Sequence, residues 1–166
     1  YPFANLLALT DDDDLTLVNL EGVLSNRKLD KVKKQYNFKG EASYTQILLQ
    51  GGVECVTLAN NHALDYGAAG KRDTIAALEN AGIAYVDSTY VTVLDKDGVR
   101  IGITGSNMRL DRDLFLAQAK ALYSVGCQTL VHVMHMGEEY ADILTASQQE
   151  TARFLAENGV TLVVGS

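Results

Sequence analysis

The chain of 166 residues has no tryptophan, a single proline and only two cysteines. Two cysteines cannot build a disulfide framework, and Cys55 and Cys127 do not form the Cys-x-x-Cys spacing of a metal knuckle. Both sit in apolar, strand-like surroundings, so each is expected to pack as a small buried hydrophobe. The lone proline, Pro2, leaves the rest of the chain free for uninterrupted elements. No apolar run approaches the roughly 20 residues that a membrane-crossing helix needs. Positive charge is scarce as well: 14 basic against 21 acidic residues give a net charge of −7. That balance, with a pI near 4.8, excludes a duplex nucleic-acid binder or a protein that coats anionic membranes. The one basic run, residues 28–34, is broken by Leu29, Asp30 and Val32 and reads as a solvated helix face. An initiator Met and a signal-peptide pattern are also missing, so the native start is expected upstream of Tyr1. What is present is globular: 47% hydrophobic and 21% charged residues, enough for one domain over residues 1–166.

One cassette recurs along the chain: an amphipathic helix, a glycine turn, then a short run of Val, Ile and Leu. It is found at residues 43–58, 71–86, 113–134 and 147–164. A glycine after the last helical residue supplies a left-handed cap, and continuous apolar runs suit strands covered on both faces. Helices alternating with such strands predict an α/β protein with a largely parallel sheet. Residues 90–104 break the pattern. Two alternating runs flank Asp95-Lys96-Asp97-Gly98, an antiparallel hairpin signal that makes the sheets mixed. The tetrad Asp11 to Asp14 lacks the ligand alternation and glycine of a calcium loop, and reads as a solvated loop or helix end.

In α/β sheets, functional groups gather at the carboxyl ends of the strands. Four such ends carry polar residues here. One is Asn19-Leu20-Glu21-Gly22, where Glu21 is either a metal ligand or a helix-capping acceptor. The next is Asn60-Asn61-His62-Ala63-Leu64-Asp65. An asparagine pair commonly makes a turn; followed by His62, it also offers an amide oxygen for a cation beside an imidazole for proton transfer. Asp65, three residues on, either orients that imidazole or caps the following helix. The third end is His135-Met136-Gly137-Glu138-Glu139. His132 points to the opposite face from His135 by the period of two and reads as a packed or hydrogen-bonded histidine. Glu138 and Glu139 either orient a metal-bound His135 or begin the next element. The fourth end is Gly165-Ser166. No Walker loop, dinucleotide fingerprint or Ser-His-Asp order is present.

These residues resemble the CapA family of bacterial capsule and poly-γ-glutamate biosynthesis proteins. The resemblance is carried by residues 15–22 (Leu-Thr-Leu-Val-Asn-Leu-Glu-Gly), 57–67 (Thr-Leu-Ala-Asn-Asn-His-Ala-Leu-Asp-Tyr-Gly), 135–140 (His-Met-Gly-Glu-Glu-Tyr) and 162–166 (Leu-Val-Val-Gly-Ser). The family in turn resembles the calcineurin-like metallophosphoesterases. That likeness implies a sandwich of mixed β-sheets flanked by helices, lacking edge pieces at both termini. It implies metal ligation by Glu21, Asn61 and His135, with His62 and Asp65 as the candidate catalytic pair. Asn19, Asn60 and Glu139 stand behind them as supporting residues. The cofactors implied are divalent ions (Mn, Zn, Fe or Mg), and the chemistry is metal-assisted hydrolysis.

The family usually opens on a strand ending in Gly-Asp and continues beyond Gly-Ser into His-x-His; Met136 stands where Trp is more usual. Without those outer ligands, the fragment is expected to hold metal weakly or not at all, and the full-length protein to hold it. The implied substrate is an anionic polymer or a phosphoester. The implied partners are other capsule synthesis proteins, with no nucleic acid and with the membrane reached only through a segment outside this sequence. The implied location is extracytoplasmic, membrane-anchored or at the cell surface. Two functions compete on this basis: a metal-dependent hydrolase, and a non-catalytic, membrane-tethered assembly or export subunit of the polymer synthesis complex.

Overall fold

The computed structural model describes residues 2–166. The chain forms two compact units, residues 1–85 and 86–166, and mixed sheets with flanking helices make up the expected α/β class.

The first unit begins with the short helix α1 (Leu7–Thr10). Its elements continue with β1 (Thr16–Asn19), β2 (Val23–Leu24), β3 (Lys39–Gly40), a 3-10 turn (Ala42–Tyr44), α2 (Thr45–Gln50), β4 (Val53–Thr57) and α3 (Gly67–Ala81), and β5 (Ala84–Val86) follows at the boundary. β1 pairs in parallel with β4, in the sheet order β1-β4-β5, while β2 and β3 form a separate parallel pair. The parallel pairing sends the ends of β1 and β4 out on the same edge, which brings residues 19–22 beside residues 58–65. Behind that edge, Leu48, Val56, Leu58, Leu78 and Ile83 pack into one apolar cluster. Removing such side chains from water is the dominant favourable term in folding. α3 stops at Gly82, whose φ of +72° is the left-handed conformation expected of a glycine cap. The Asp11–Asp14 tetrad lies in exposed, irregular chain before β1, and Asp13 accepts a hydrogen bond from Thr16 Oγ1 at 2.5 Å.

The basic run departs from its expected form. Residues 28–34 contain no helix. Their backbone is drawn into tertiary bonds: Val32 N donates to Asp65 O at 2.8 Å, and farther along Phe38 N donates to Asp65 Oδ2 at 2.6 Å. With Leu29 and Val32 as its apolar residues, the run has too narrow a stripe to hold a helix by packing. It forms an irregular strap instead.

The second unit holds β6 (Thr92–Lys96), β7 (Val99–Asn107), α4 (Arg112–Ser124), β8 (Thr129–His135), α5 (Ala146–Glu157) and β9 (Leu162–Gly165). The sheet order is β6-β7-β8-β9, antiparallel in the first pair and parallel in the other two. The Asp97-Gly98 turn has positive φ at both residues, +52° and +81°. That is the tight hairpin conformation whose twist matches its strands. α4 and α5 begin at side-chain caps, Asp111 and Thr145, and Thr145 with Gln148 completes a capping box. The core gathers Phe115, Leu122, Cys127, Leu130, Leu155 and Val160. Both cysteines are buried and free, and burial pushes the Cys55 thiol up to about 12. Each is therefore a packing residue.

Candidate functional site

β1 and β4 deliver their polar ends side by side. Asn60 directs its amide nitrogen to Asn19 Oδ1 at 2.9 Å and to Leu20 O at 3.0 Å, stitching the two strand ends together. Its own Oδ1 accepts from His62 N at 3.0 Å, which turns the chain sharply after β4. Asn19 Nδ2 in turn donates to Glu21 Oε2 at 3.0 Å. The asparagines thus form a small scaffold that holds the Glu21 carboxylate and the His62 backbone.

His62 is 8% exposed and Asp65 is fully buried. Their side chains meet at 2.8 Å, Nδ1 to Oδ2. Since a carboxylate accepts, the ring proton belongs on Nδ1 and Nε2 is the nitrogen left for chemistry. Nε2 lies 3.7 Å from Glu21 Oε1. Asp65 does not cap α3, whose N-cap is Tyr66 with no side-chain cap bond. Its Oδ2 also receives Phe38 N, while Oδ1 has the Lys34 ammonium at 2.6 Å, off the angles of a regular hydrogen bond. Burial by itself pushes this carboxyl up; the contacts from Lys34, His62 and Phe38 N outweigh it and hold the group below its ordinary range. The Phe38 ring covers His62, with centroids 4.3 Å apart. Lys34 also donates to Asn61 O at 2.8 Å.

The structure therefore brings Asn19, Glu21, Asn60, Asn61, His62 and Asp65 to one sheet edge of the first unit. His135 and Glu139 belong to the second unit. His135 ends β8, half-buried, with Nδ1 3.3 Å from Ser166 Oγ just beyond β9. Glu138 and Glu139 are exposed in the segment that follows. The register partner of His135 on the neighbouring strand β7 is Asn107, whose buried Oδ1 has no hydrogen-bond partner. Among the described residues, no three His, Cys, Asp or Glu side chains gather as a metal-holding group. The donors available are mixed: carboxylate and amide oxygen from Glu21 and Asn61 in the first unit, imidazole and an orphaned amide oxygen from His135 and Asn107 in the second. Taken unit by unit, the oxygen donors of the first suit hard ions such as Mg and Mn, and the imidazole of the second suits Zn.

Two residues around these sites are not legible from local pattern, and a third is legible only from its place at a strand end. Lys34 and Phe38 reach Asp65 from a strap far upstream, and nothing in their spacing announces it. Asn107 had a signal: it ends β7, which runs parallel to β8, so the rule of carboxyl strand ends applies to it as well.

A model of the bacterial capsule synthesis protein family PGA_cap matches residues 1–106. The chain belongs to that family, in agreement with the resemblance seen at Glu21 and at residues 57–67. A relative, the capsule biosynthesis protein CapA of Bacillus anthracis, is 25% identical over 194 aligned positions, covering 99% of this chain and 47% of that protein. The chain thus spans about half the length of the curated relative it matches. No helix among the described residues is long and apolar enough to cross a membrane.

Proposed function

We propose that this capsule synthesis domain is a metal-dependent hydrolase, acting at the His62 edge of the first unit on a phosphoester or on the anionic capsule polymer. The observation that carries the reading is the buried Asp65 holding His62 Nδ1 at 2.8 Å while Nε2 faces the Glu21 side. A structural histidine has no need of a fully buried carboxylate behind it, because the desolvated charge is costly unless it is compensated. A proton-transferring histidine does, since the carboxylate stabilises the imidazolium that forms.

The chemistry follows from these groups. In hydrolysis the water oxygen bonds to phosphorus (or to the acyl carbon of the polymer), and the bond to the leaving group breaks. His62 Nε2 takes the proton that the attacking water loses and passes it to the departing oxygen or nitrogen, with Asp65 steadying the imidazolium in between. Candidate metal donors on the His62 edge are Glu21 and Asn61; a divalent ion bound by them would supply Lewis acidity for the attacking water and the developing negative charge, and His135 is a candidate donor within the second unit. The capsule name of the relative supports association with the cell envelope and with other capsule synthesis proteins.

His62→Ala in the full-length protein tests the reading. With manganese and p-nitrophenyl phosphate or the capsule polymer as substrate, turnover should fall about 10²-fold or more, with a melting temperature close to that of the unsubstituted protein. Unchanged turnover removes the hydrolase. Capsule formation that survives this substitution and fails on deletion of the domain would favour the assembly subunit instead.

A further inference from the structure

We infer that Lys34 is a positioning residue of the His62 site, bracing at once the carboxylate and the backbone that aim the imidazole; its purpose, though not its geometry, rests on the hydrolase reading. The argument begins with Asp65. Oδ2 is taken by two donors, His62 Nδ1 at 2.8 Å and Phe38 N at 2.6 Å. Oδ1 is left to the Lys34 ammonium at 2.6 Å. With each oxygen assigned to a different side, rotation of the carboxylate plane is blocked, and the ring hydrogen-bonded to it is held in one orientation.

Lys34 makes a second contact of the same sense. It donates to Asn61 O at 2.8 Å, the carbonyl of the residue just before His62. One ammonium therefore ties down both supports of the imidazole: the carboxylate beneath the ring and the main chain from which the ring hangs. A compact cation with several donors fits that task, since it can serve two acceptors in different directions. The neighbours Lys28, Lys31 and Lys33 are exposed, whereas the Lys34 side chain is 28% exposed beside a carboxylate at 0%. A buried carboxylate needs its compensating cation; without it the charge is stranded.

The test compares Lys34→Gln, which keeps a donor for Asn61 O but removes the charge, with Lys34→Arg, which keeps the charge. The readout is the exchange rate of the His62 Nδ1 proton with water, followed by NMR on histidine-labelled protein at one fixed pH. Lys34→Gln should speed exchange about tenfold through loosening of the Nδ1–H···Oδ2 bond, and Lys34→Arg should stay within about threefold of the original rate. A rise below threefold in folded Lys34→Gln overturns the assignment. If circular dichroism finds Lys34→Gln unfolded, Lys34→Arg decides: a preserved rate upholds the role of the charge, and a tenfold rise overturns it. No substrate enters the measurement, so the hydrolase reading and the bracing role fail separately.

Discussion

His62 and His132 are both buried, at 8% and 1% exposure, yet their surroundings are opposite in kind. His62 leans on a carboxylate with a lysine behind it and keeps Nε2 for the Glu21 side. His132, in the second unit, is closed off at both nitrogens by hydroxyls: Thr104 Oγ1 at 2.8 Å on Nδ1 and Ser106 Oγ at 2.9 Å on Nε2. The Thr104 proton is directed to Val131 O at 3.4 Å, so Thr104 accepts from Nδ1–H and Ser106 donates to Nε2. A neutral imidazole satisfies this cage completely, and Phe115 packs edge-on against it. The contrast teaches that burial alone does not describe a histidine: the charges and the open nitrogens around the ring are what set these two apart.

The sharpest way to break the contrast is to remove the charge from the His62 side. Asp65→Ala strands Lys34, Phe38 N and the imidazole proton, and should cost about 3–4 kcal/mol, read by chemical denaturation. A loss under 1 kcal/mol would make the carboxylate dispensable and erase the difference between the two histidines.

Acid separates them next. Burial lowers His132 from 6.5 to about 4. The folded state therefore refuses a proton that the unfolded chain accepts, and stability is lost as pH falls from 6.5 towards 4, on the order of 3 kcal/mol in all. Asp65 acts in a lower window. Its carboxyl is held below the 3.8 of an unperturbed group, so its contribution is present above that value and disappears as pH falls through the folded one. Stability measured against pH should thus decline in two stages, and His132→Gln should flatten the upper stage alone. A single stage unaffected by His132→Gln would remove the neutral-cage description.

The smallest effect belongs to a single hydroxyl. Ser106→Ala leaves Nε2 of His132 without its donor and should cost about 1–2 kcal/mol. Turnover should be unchanged, as assayed beside His62→Ala.

Much of this is readable in the amino-acid sequence. The four helix–turn–strand cassettes declared themselves because their periodicity and glycine caps are local properties, and Asp97-Gly98 specified its hairpin for the same reason. The spacing of three residues left two readings for Asp65, partner of His62 or cap of the next helix, and the fold takes the first. What escaped was non-local. The run at residues 28–34 reads as a charged helix face because charge and apolar spacing are all that a short window offers. Its conformation is decided instead by bonds to Asp65, 27 residues beyond Phe38. The hydroxyl cage of His132 was equally invisible, since Thr104 and Ser106 arrive from a neighbouring strand.

The link between Lys34 and Asp65 has a consequence for the order of folding. It closes a ring of 65 − 34 = 31 residues, and gathering the ends of such a ring costs roughly 3 kcal/mol in chain entropy. Neighbouring helices and hairpins can form without that expense. The corner built from Lys34, Asp65 and His62 should therefore be among the last parts of its unit to mature, assembled only after the sheet edge exists for the strap to fasten onto.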